Sequence, residues 1–218
     1  MATAITEFSK EVQPDVIGCP KVLVDKAVVD TIIKFCTDTH LLEKTIEQDV
    51  VTADVDTTDN YSVDITVSDY IANVKPLTII EFKIDGSRFE TSYIELLSVL
   101  GDIDDYPIVG TKYYTIVDDA DFRFYGIEAK DQTFFLKAAF APVDTITTID
   151  DTIYRRWHDA IESGAKSKLQ AMPKKDWTDY QAAAYNLNVF NDGIASAKIS
   201  HGQGYTKGNT RPKSMRFF

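Results

Sequence analysis

The chain has 218 residues, with 23 Lys and Arg against 34 Asp and Glu for a formal net charge of -11, and 44% of its residues are apolar. That is enough for one large or two small domains, each with its own core. The apolar runs are too short for a membrane span, and the first ten residues, with Glu7 and no continuous apolar stretch, do not form a secretory signal.

Pro20 fits the first position of a helix, where its missing N–H costs nothing. After it, Leu23, Ala27, Val28, Ile32, Ile33, Phe35 and Cys36 recur at three and four residues, which predicts a helix with one apolar face running to about Leu42. Cys36 is then a core residue. With only Cys19 beside it there is no disulfide scaffold and no cysteine zinc site, so both thiols are expected reduced and buried in a cytoplasmic setting.

From about Val50 the period changes to two. Tyr61, Val63, Ile65 and Val67 alternate with polar residues, as do Ile80, Phe82 and Ile84, then Tyr114 and Ile116, then Phe122 and Phe124. Breaks at Asp59-Asn60, Asp85-Gly86, Gly101 to Gly110 and Glu128 to Gln132 predict hairpins in an antiparallel sheet or sandwich, with Asp85-Gly86 the clearest tight turn. A last strand, Thr133 to Ala141, stops at Pro142, which cannot donate to a ladder.

The helical period returns at Asp150 and Asp151, either of which, or Thr148, can cap a helix carrying Ile153, Trp157, Ala160, Ile161, Gly164, Ala165, Leu169 and Met172, with Pro173 stopping it. A second helix from about Asp176 carries Tyr180, Ala184, Leu187, Phe190, Ile194 and Ala197, and Gly202 and Gly204 end it. The short Pro173-Lys174-Lys175 connection makes the two an antiparallel αα-hairpin, with Ala182, Ala183 and Ala184 permitting close contact. Trp157, Trp177, Tyr180, Leu187 and Phe190 are the expected packing residues. The order helix, strands, helices predicts an α+β chain whose ends share one helical base: residues 1–49 and the αα-hairpin 150–200 form the base, residues 50–149 an inserted antiparallel β domain, and residues 201–218 an extended tail.

Charge is uneven along the chain. From Gly193 to Phe218 there is no acid, while Lys198, Lys207, Arg211, Lys213 and Arg216 give five positive charges, so the preceding 192 residues carry -16. An acidic body repels a phosphate backbone, which speaks against general nucleic-acid binding. The tail HGQGYTKGNTRPKSMRFF has neither helical nor alternating period, yet ends in Met215, Phe217 and Phe218, apolar anchors suited to a segment that folds on docking.

Residues for chemistry are few. His40, His158 and His201 form no paired metal motif; His158 and Glu162 are four apart on one helix, too few ligands for zinc. Asp54 to Asp59 lacks the glycine and glutamate of a calcium loop, since position 65 is Ile65, and Asp102 to Asp105 runs into Tyr106-Pro107 as a polar turn. There is no phosphate loop and no nucleophile elbow. No cofactor and no enzyme activity are expected.

The run Tyr154 to Phe218 combines a helix bearing Trp157, the stretch ESGAKSKL, the connector MPKKDW, a helix ending FNDGIASAK and a basic Arg-Pro tail with an aromatic end. In this combination, with the FAPV run at Phe140 to Val143, the chain resembles the head-to-tail adaptor, or connector, proteins of tailed bacteriophages. The resemblance implies a structural virion protein of the neck, made in the bacterial host cytoplasm. Twelve copies would form a ring beneath the portal, above the tail or nozzle protein, and packaged DNA would pass the lumen unbound. Tyr205, Lys207, Arg211, Pro212, Lys213, Arg216, Phe217 and Phe218 would then be the portal-docking segment, with Pro212 limiting the unbound ensemble. The acidic body would keep the duplex centred. Two other readings stand beside it. One is a tail completion or terminator ring. The other is a non-viral binding module in which Tyr93, Tyr113, Tyr114, Phe122, Phe124 and Tyr125 line a carbohydrate platform rather than a sandwich core.

Overall fold

The structure, a computed structural model, describes residues 2–56, 62–93, 112–128 and 130–202. The chain is α+β, and its two ends build one helical core. Strand β1 (Ala2–Ala4) pairs antiparallel with β10 (Thr148–Asp150), which ties the first residues to the entrance of the last two helices. Helix α1 (Ile5–Val12) buries Ile5, Phe8 and Val12, and Phe8 meets Tyr154 edge-on at 5.0 Å. Helix α2 (Lys21–Thr39) starts directly after Pro20 and ends at His40, whose φ of 54° turns the chain into the left-handed region.

Helix α3 (Asp151–Gln170) is capped by Asp150, whose carboxylate accepts from the Thr152 N–H at 2.7 Å. Helix α4 (Tyr180–Gly202) is capped by Asp179, which accepts from the N–H groups of Gln181 and Ala182 at 3.0 Å. Both caps satisfy donors that have no partner within the helix. Val28, Ile32, Phe35 and Cys36 of α2 pack with Ile161 and Leu169 of α3 and with Phe190 and Ile194 of α4. The expected shared base is therefore present, and α1 is an addition to it.

Between the ends the described residues form two four-stranded sheets. One has the order β2 (Glu43–Val50), β9 (Gln132–Pro142), β4 (Val74–Ile84), β5 (Ser87–Phe89); the other has β3 (Val63–Ile65), β8 (Asp121–Tyr125), β7 (Lys112–Val117), β6 (Thr91–Tyr93). Their inner faces share a second core, with Ile46, Phe82, Phe134 and Leu136 from the first and Ile65, Phe122 and Phe124 from the second. The Asp85-Gly86 turn has φ of 49° and 78°, the pair of positive values that a two-residue hairpin joining β4 to β5 requires.

Four expectations need correction. The strands begin at Glu43 rather than at residue 50, because β2 pairs along its length with β9. Among the described residues the β domain is antiparallel except for β6 and β7, which run parallel; their connection, 94–111, lies outside the described residues. Ile80 faces out at 38% exposure because the β4 register shifts between Ile79 and Glu81, so that Ile79 takes the inward place. Val67 is buried but opens a 3-10 turn instead of continuing β3. Tyr61 and the breaks at Asp59-Asn60 and Gly101 to Gly110 lie outside the described residues.

Candidate interaction surface

The expected docking segment, Tyr205, Lys207, Arg211, Pro212, Lys213, Arg216, Phe217 and Phe218, falls outside the described residues, which end at Gly202. Its root is described. In the last turn of α4, His201 Nε2 sits 2.5 Å from Glu43 Oε1, and Lys137 Nζ is 2.6 Å from Glu43 Oε2. Glu43 opens β2 and Lys137 lies on β9, so this cluster pins the C-terminal end of α4 to the sandwich. A recess of about 180 Å³ lies beside it, lined by Leu42, Glu43, Lys44, Asp150, Arg156 and Trp157.

Burial by itself would raise the Glu43 carboxyl, but hydrogen bonds and charge from Lys137 and His201 outweigh it and hold the group below its usual value. A carboxylate depressed by folding adds stability that is present above its ordinary value and is lost as pH falls through the folded one. Glu43→Gln is accordingly expected to cost about 1 kcal/mol near neutral pH. The difference from the parent chain should close in acid; urea titrations at the two pH values check it.

The expected packing residues divide. Phe190 is 3% exposed. Trp157 is half-buried with its ring 5.9 Å from Phe35, and Trp177 is half-buried against the same core. Tyr180 and Leu187, by contrast, are 62% and 47% exposed. The buried line on α4 runs through Ala183, Phe190, Ile194 and Ala197, turned away from the stripe through Tyr180, Ala184 and Leu187. Close approach of α3 and α4 also comes from elsewhere than Ala182 to Ala184. A methyl on Gly193 would overlap Ala160 Cβ, and one on Gly164 would lie 2.6 Å from Thr31 Cγ2 and 2.7 Å from Phe190 Cδ2.

Three of the chemical candidates among the described residues sit in structural surroundings. His158 meets Asp159 at 3.0 Å rather than Glu162, whose carboxylate holds Lys166 at 2.8 Å. Cys19 and Cys36 are buried and unpaired, and burial pushes the Cys36 thiol up to about 12. Tyr114, Phe122 and Phe124 belong to the sandwich core and Tyr125 is buried as well, so these four do not form an exposed sugar platform. Among the described residues no cluster of three His, Cys, Asp or Glu could hold a metal ion, and no helix is long and apolar enough to cross a membrane.

One feature escaped the periodicity. Among the described residues, nine large apolar side chains are well exposed, and four of them, Tyr180, Tyr185, Leu187 and Ile199, lie on α4. The same 23 residues contain only Asp192 and Lys198 as charged side chains, whereas α3, which packs against α1, α2 and α4, carries seven in 20. A simple count of charges per helix would have found it. Compared with known proteins, the chain matches no family model and no curated protein sequence.

Proposed function

We propose that this chain is a head-to-tail adaptor of a tailed bacteriophage, a structural protein that forms a ring beneath the portal, joins capsid to tail and lets DNA pass. The observation that carries the reading is architectural: a helical base made from both ends of the chain, with a β sandwich inserted, from whose junction a basic Arg-Pro-aromatic segment issues. Such a layout offers three separate surfaces, which a ring between two other rings needs. Anchoring α4 to Glu43 and Lys137 gives the docking segment a fixed departure point, so less freedom is lost when it seats on the portal. The arginines supply planar donors for acidic or carbonyl-lined grooves, and the phenylalanines supply buried area.

The test is negative-stain microscopy and mass photometry of the chain mixed with portal rings encoded in the same genome, beside a variant ending at Gln203. A uniform gain near twelve subunits, lost in the truncated variant while its helical content is kept, is the expected result. Rings of six copies would turn the reading toward a tail terminator. No association by either form, or full association by the truncated one, overturns the docking role of residues 204–218.

A further inference from the structure

We draw no further inference here: the strongest candidate, the surface patch on α4 where Tyr180, Tyr185, Leu187 and Ile199 stand exposed, carries nothing because nothing in the structure shows what covers it.

Discussion

Phe124→Ala is expected to lower the unfolding free energy by about 3–5 kcal/mol, one of the largest losses available to a single substitution in this chain. Phe124 is fully buried, and its ring stacks on Phe82 of the opposite sheet at 4.4 Å and 14°. It also meets Phe134 at 6.1 Å, Phe122 at 6.3 Å and Tyr114 at 6.2 Å. The cavity left by truncation would be walled by rings from both sheets, each held by its own strand, so little collapse can fill it. Lost transfer energy and lost contacts then add. Ile80→Ala supplies the contrast. Ile80 is equally apolar, but the register shift beside it turns it outward, and its truncation should cost less than about 0.5 kcal/mol. Urea unfolding with unchanged slope separates the two. Similar losses at both positions would mean that Ile80, not Ile79, occupies the core.

What the sequence displayed well was local and repeated. The period of α2 and α3, the Asp150 cap, the Asp85-Gly86 turn and the alternation through Phe122 and Phe124 all follow from contacts within a few residues or from a single buried face. The parts that were not legible depend on distant partners. Helix α1 is only eight residues long, too short to persist without Phe8 and Val12 docking and without β1 clamped to β10. Strand β2 reads EKTIEQDV, with apolar residues four apart rather than two; as an edge strand it is held by β9 and has little alternation to show. Nothing local to Ile80 announces the bulge.

Helix α4 misled for a different reason. Charged residues ordinarily mark the solvent side of a helix and so fix its rotational phase. With Asp192 and Lys198 alone to do this, apolar side chains lie all round the helix, and a stripe through Tyr180 and Leu187 is as regular as the buried one through Ala183, Phe190 and Ala197. The ambiguity in phase and the exposed apolar side chains of α4 thus have one physical origin. The proposed docking segment, legible from composition, lies beyond Gly202 and rests on its residue types and on the resemblance.

The true contact of α3 with α4 yields a prediction with an internal rescue. Gly193→Ala places a methyl group against Ala160 Cβ, where no flexible side chain can swing aside, so the two helices must separate and loosen Phe190 and Ile161 behind them. Alanine favours the helix over glycine by about 1 kcal/mol, while overpacking of a close contact costs about 1–3 kcal/mol or more. At the upper end of that range, which a backbone-to-backbone approach demands, Gly193→Ala loses about 2 kcal/mol net. Ala160→Gly alone should lose about 1 kcal/mol through propensity. Combined, the two substitutions move the methyl group from one helix to the other and return the approach to its original spacing, so the double variant should stand within about 0.5 kcal/mol of the parent chain. Ala184→Gln, at the exposed position, should leave unfolding unchanged. If the double variant instead lost the sum of the single effects, Gly193 and Ala160 would not be in contact, and the αα-hairpin would have to close along the alanine run at 182–184.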